Sequence, residues 1–110
     1  MEKVISWAPD YLVTDLGEVI SLKGREGPHI LIPDCSNGYP RVTIEGQRWY
    51  LADLVAEHFL PKPTPDYKVF YIDGNKRNCC VENLVWLSQS DIKRYSQYSV
   101  EYRRQILGEW

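Results

Sequence analysis

The chain has 110 residues and a formal net charge of −2; 44% of its residues are hydrophobic, 25% charged and 13% aromatic. That size supports one domain with its own core, and the composition excludes an intrinsically disordered chain. No apolar run reaches the roughly 18 residues of a membrane-spanning helix and Met1-Glu2-Lys3 opens no secretory signal, so no membrane partner and a cytoplasmic location are expected.

The acidic balance speaks against a general electrostatic grip on nucleic acid, but the charge is unevenly spread. Residues 1–60 carry five Lys and Arg against nine Asp and Glu, a balance of −4, while residues 61–110 carry eight against six, a balance of +2. Phosphate contacts are therefore expected in the second half. Cys35, Cys79 and Cys80 are odd in number and lack the C-x₂-C spacing of a zinc knuckle, and His29 and His58 lie far from them in sequence. Buried, reduced thiols are the expectation, with no metal site and no cofactor.

In chain order, Tyr11–Thr14 and Val19–Leu22 are β-prone runs around Asp15-Leu16-Gly17, a hairpin signal. Residues 23–28 form a loop by composition, and His29–Ile32 is a third short strand. After Asn37-Gly38-Tyr39-Pro40, Arg41–Ile44 alternates polar and apolar as a half-buried strand does, and Glu45-Gly46-Gln47 turns into Arg48–Tyr50. From about Tyr50 to Phe59 the period changes: Leu51, Leu54, Val55 and Phe59 mark one helical face, which Pro61, Pro63 and Pro65 end.

Lys68 to Ile92 then reads strand, loop, strand and helix start. Val69–Ile72 meets the turn residues Asp73-Gly74-Asn75, and Leu84–Leu87 leads into the polar start of a helix. Beyond it, Ile92, Tyr95, Ser99, Tyr102 and Ile106 are spaced by three and four, which predicts one long amphipathic helix beginning near Ser90 or Asp91. The expected fold is α+β: a small antiparallel β meander, a helix, a ββα unit and a C-terminal helix. A single domain over 1–110 is expected, divided into a β-rich segment 1–48, a central segment 49–92 and a helical tail 93–110.

These residues carry a resemblance. Tyr11–Leu22 followed by Asn37–Val42 resembles the small DNA-binding module found ahead of HNH homing-type endonucleases. Leu54–Phe59, Ile72–Asn78 and Glu82–Leu87 are similar to the HNH nuclease domain that follows such a module, in the same order. Such proteins are mostly encoded by phages and mobile elements, which places the chain in a bacterial host cell.

The resemblance implies a ββα hairpin holding one divalent cation against the scissile phosphate, with a histidine as general base. It assigns one metal ligand to the position of Phe70, the histidine to Tyr71, a second ligand to Ile92 and a further frequent histidine to Ala52. Phenylalanine and isoleucine cannot ligate a hard cation, and a tyrosine hydroxyl with a pKa near 10 is a poor base at neutral pH. Asp73, Gly74, Asn75, Asn78 and Asn83 are kept, but such residues in a loop also cap turns and bond the backbone.

The expected function is thus a catalytically inactive HNH-like binding protein. In one form it binds DNA through Lys68, Lys76, Arg77, Lys93 and Arg94, although Glu18 and Asp53 stand where the family commonly has arginine. In another it binds a host protein, as an inhibitor of a defence or DNA-processing enzyme, through Tyr95, Tyr98, Tyr102 and Trp110. A third form is a nuclease with relocated ligands.

Overall fold

A computed structural model describes residues 1–107. Among the described residues, eight strands and three α-helices follow in order: β1 (Glu2–Ile5), β2 (Ala8–Thr14), β3 (Val19–Ser21), β4 (His29–Ile30), β5 (Arg41–Ile44), β6 (Gln47–Tyr50), α1 (Leu51–Phe59), β7 (Lys68–Tyr71), β8 (Leu84–Leu87), α2 (Gln89–Tyr95) and α3 (Val100–Leu107), with a 3₁₀ turn at Val81–Asn83 leading into β8. The strands pair as an antiparallel meander β1-β2-β3-β4 and two separate hairpins, β5-β6 and β7-β8. This is the α+β class expected, with the strands of the expected meander divided between two sheets.

Turn chemistry fixes these pairings. At the β2-β3 turn the Thr14 N–H donates to the Glu18 carbonyl at 2.8 Å, and the Glu18 N–H donates to Thr14 Oγ1 at 3.1 Å. Gly17 there has φ +85°, and a Cβ on it would stand 2.8 Å from the carbonyl carbon and oxygen of Cys79. Only glycine lets the turn lie that close to the second half of the chain. The same contact is reinforced by the Val81 N–H, which donates to the Asp15 carbonyl at 2.8 Å.

The largest hydrophobic cluster joins Ile5, Val13 and Val19 of the meander, Val42 and Ile44 of β5, Leu51, Leu54 and Val55 of α1, and Leu84 and Trp86 of β8. Leu54 and Val55 are 1% and 0% exposed, and burying each contributes roughly 2 kcal/mol. Trp86 Nε1–H donates to the Leu60 carbonyl at 3.1 Å, which ties the end of α1 to β8. His58 spans the other side: Nδ1 pairs with the Leu54 carbonyl at 2.8 Å and Nε2 accepts from the Ser6 N–H at 3.4 Å.

Several expectations need correction. The single C-terminal helix is two. Ser96 Oγ–H donates back to the Ile92 carbonyl at the end of α2, and Ser99 Oγ accepts from the Tyr102 N–H at 3.2 Å, which makes it the N-cap of α3. The first of these helices starts earlier than expected, capped by Ser88, whose Oγ accepts from the Asp91 N–H at 3.2 Å. The boundary at 92/93 therefore falls inside α2. Strand β4 stops at Ile30, since Ile32 is 93% exposed and Pro33 follows. Strand β1 was not foreseen. All three thiols are free, but of them only Cys79 is buried, and burial pushes its pKa up to about 11.

Candidate functional site

The β7-β8 hairpin has two faces, set by its register: Phe70 opposes Val85 and Tyr71 opposes Leu84. One face looks towards α2 and α3. There Phe70, Ile72, Leu87 and Leu107 form a second hydrophobic cluster, against which Val85, Ile92 and Tyr95 pack. Phe70 of β7 and Ile92 of α2, on different elements, are thus brought into one apolar contact set. Above it lies a cation of the chain itself. Arg103 sits 5.4 Å from the Phe70 ring centroid, and its Nη1–H donates to the Ile72 carbonyl and its Nε–H to the Tyr98 carbonyl, each at 3.1 Å.

The loop between the strands is held by its own polar side chains. Asn83, 7% exposed, accepts the Asp73 N–H on Oδ1 at 2.9 Å, while Nδ2–H donates to Asp73 Oδ1 at 2.8 Å and to the Asn78 carbonyl at 3.0 Å. Asn78 Nδ2–H donates to Asp73 Oδ2 at 2.9 Å, and the Asn75 N–H donates to Asp73 Oδ1 at 2.8 Å. Asn75 Oδ1 in turn accepts the Arg77 N–H at 3.1 Å. Gly74 turns the chain with φ +74°. Partial desolvation works to raise the Asp73 pKa, but the bonds from Asn78, Asn75 and Asn83 outweigh it and hold the carboxyl below the usual range.

The divalent cation that the resemblance implies does not fit these residues. Both positions assigned to metal ligands, Phe70 and Ile92, are aromatic and aliphatic carbon in the cluster that holds Leu107, and Asp73 already spends both carboxylate oxygens on loop donors. Among the described residues no group of three or more His, Cys, Asp or Glu side chains is arranged to hold a metal ion. Ala52, at the position of the further histidine, is 2% exposed in the core.

On the opposite face of the hairpin Tyr71 looks towards α1. It lies 6.2 Å from the Tyr39 ring, which meets Tyr50 edge-on at 6.0 Å. These rings border a groove of about 400 Å³ that Asp53, Glu57, Lys62 and Lys68 also line. Burial pushes the Tyr71 phenol further above its ordinary pKa, with the Asp53 charge adding to this, so it is a still poorer base than free tyrosine. Burial, with Glu57 nearby, also raises the Asp53 carboxyl. A larger apolar groove of about 1080 Å³ opens beside the loop, between Pro61, Pro63 and Leu84, with Asn78, Asn83 and Arg104 at its wall.

The expected cations divide between surfaces. Lys76, in the loop, holds its Nζ 4.7 Å from the Tyr39 centroid, which places it with Lys68 beside the smaller groove. Arg77 is exposed next to it. Lys93 and Arg94 are exposed on α2, where Arg94 stacks 5.2 Å from the Tyr95 ring. Of the tail aromatics, Tyr95 packs on the second cluster, Tyr98 stands edge-on between Tyr95 and Tyr102 at 5.7 and 4.9 Å, and Tyr102 is 47% exposed. Trp110 lies outside the described residues. Tyr39 and Tyr50 are not among the expected site residues, and Arg103 is expected only on a charged flank of the C-terminal helix. Tyr39 follows the Asn-Gly turn pair, a signal for an exposed ring; the place of Arg103 over Phe70 has no local signal.

The structure of the chain superposes on the solved structure of the HNH homing endonuclease I-HmuI, described for DNA binding and cleavage by that enzyme, with a TM-score of 0.72 and 28% sequence identity. The chain has an HNH-like fold. The match covers 96% of this chain and 65% of the I-HmuI chain, so the HNH-like chain spans just under two thirds of that enzyme's length. No family model and no curated protein sequence matches it.

Proposed function

We propose that this chain is a DNA-binding protein on an HNH-like scaffold, of phage or mobile-element type, that does not cleave DNA by the metal-dependent route of that fold. The observation that carries the reading is the meeting of Phe70 and Ile92 in one apolar cluster capped by Leu107. A cation of high charge density is not held by carbon, and the loop carboxylate is committed to backbone and amide donors. What remains is a rigid hairpin that presents Lys76 and Arg77 in an ordered loop beside Lys68. Lysine and arginine on such a frame contact phosphates without reading sequence.

The expected behaviour is duplex binding whose affinity falls steeply with salt, since each phosphate neutralised releases counterions. Lys76→Ala with Arg77→Ala is expected to weaken binding across sequences and to lower the salt slope by about 2. Fluorescence anisotropy at several salt concentrations measures both, and salt-insensitive or absent binding removes the reading. Plasmid incubated with Mg²⁺ or Mn²⁺ is expected to stay supercoiled; nicking at the purified protein's concentration restores the enzyme reading. The alternative, an inhibitor that binds a host protein, draws mainly on exposed Tyr102, because Tyr95 is engaged with the chain's own core.

A further inference from the structure

The smaller groove has a chemistry that phosphate binding alone does not use. Tyr50 closes β6 and Tyr39 lies in the turn before β5, and their rings remain 44% and 36% exposed. Its volume of about 400 Å³ is within the roughly 300–1,000 Å³ range of small-ligand pockets. Partly exposed aromatic rings are stacking platforms for any base, because every base has a π-face. Around them stand three ammonium groups: Lys76 over Tyr39, Lys62 with Nζ 4.7 Å from the Trp86 centroid, and Lys68 at the start of β7.

Asp53 and Glu57 also line the groove, one turn apart on the same face of α1. Neither carboxylate forms a salt bridge among the described residues, whose ion pairs are Met1–Asp15, Lys23–Glu45 and Arg41–Asp34. These two would repel a phosphate but accept from the exocyclic amine of cytosine, a recognised pairing of side chain and base edge. Acceptors, rings and cations thus border one groove, and a nucleotide offers their counterparts as base edge, base face and phosphate. An arginine or lysine from a protein partner would satisfy the carboxylates but meet three like charges. A paired base has its edge engaged and its faces covered, so only an unpaired one can enter.

We infer that this groove takes one unpaired, amino-bearing nucleobase of a single DNA strand, stacked on Tyr50 with the near-perpendicular Tyr39 ring against its edge, and read by Asp53 and Glu57, with its flanking phosphates on Lys62, Lys68 and Lys76. The inference rests on the DNA-binding reading above. It turns the wall formed by Tyr71 from the place of a lost base catalyst into part of a binding pocket.

Anisotropy with short labelled oligo(dC), oligo(dT) and a duplex tests it. Oligo(dC) is expected to bind about tenfold more tightly than oligo(dT), which lacks the amine. Tyr50→Leu is expected to weaken oligo(dC) binding about tenfold while leaving duplex binding unchanged, and Tyr39→Leu to weaken oligo(dC) binding as well. Asp53→Ala is expected to reduce the preference for oligo(dC). All three positions carry exposed or half-exposed side chains, and an unaltered melting transition confirms that each variant is folded. Absence of either the oligo(dC) preference or the tyrosine dependence overturns the inference; if the duplex still binds, the broader reading survives, and if no DNA binds, both fall. Tighter binding of a tetra-arginine peptide than of oligo(dC) also overturns it, in favour of a protein ligand.

Discussion

Asn83 is the side chain on which the hairpin loop depends. Its amide makes three hydrogen bonds, to the Asp73 N–H, to Asp73 Oδ1 and to the Asn78 carbonyl. Asn83→Ala removes all three and leaves the Asp73 N–H short of a partner, at a cost of about 2–3 kcal/mol, readable as a lower urea midpoint. The pH dependence has a definite sign. The folded Asp73 pKa lies below its unfolded value, so its contribution is present above the unfolded pKa and is lost as pH falls through the folded one. Stability of the parent chain is expected to decline on acidification below about pH 4, and this decline should be shallower in Asn83→Ala. The polar frame at Asp73, Asn75, Asn78 and Asn83 was legible in sequence because turn residues act locally. The apolar meeting of Phe70 and Ile92 was suggested only through resemblance, and the Tyr39–Tyr50–Tyr71 groove was not legible at all, since it joins three segments separated by long stretches of chain.

At the scale of elements, α3 is a cover on the β7-β8 hairpin held at two points. Leu107, 5% exposed, enters the second cluster, and Arg103 bonds the Ile72 carbonyl. Leu107→Ala is expected to cost about 2–3 kcal/mol and to free α3 first, seen as faster tryptic cleavage after Arg103 and Arg104; cleavage at the parental rate would mean that α3 is held without Leu107. Element type was readable wherever one period ran cleanly to a turn: Arg41–Ile44 and Leu84–Leu87 have the bounds expected. Strand β1 escaped because three of its four residues are exposed, so no alternation marks it. The break before α3 escaped because the spacing of three and four continues across Ser96–Ser99, and only the hydroxyl bonds of those serines betray it.

For the whole molecule, the contact between the β2-β3 turn and the hairpin loop decides whether the N-terminal meander and the β7-β8 hairpin behave as one body. Ile5, Val13 and Val19 share a cluster with Leu84 and Trp86, and Gly17 lies against Cys79. Gly17→Ala adds a methyl group 2.8 Å from a carbonyl in a backbone region that L-residues avoid. The expected loss exceeds about 2 kcal/mol, from strain of roughly 1–2 kcal/mol plus the displaced contact. Calorimetry is expected to show a lower, broadened transition as the two parts lose their coupling; a transition as high and sharp as the parent's would mean that the turn is not what joins them.

That same turn sets an order of events during synthesis. Cys80 Sγ–H donates to the Leu16 carbonyl across a separation of 64 residues, so the meander can form its hairpins early but cannot complete its packing until the loop beyond Tyr71 has left the ribosome. Closing a span of that length costs entropy that local strands do not repay. The first third of the chain therefore waits, partly open, for the second half to arrive, and a pause in translation before Val81 would lengthen the time its apolar face is exposed to chaperones and proteases.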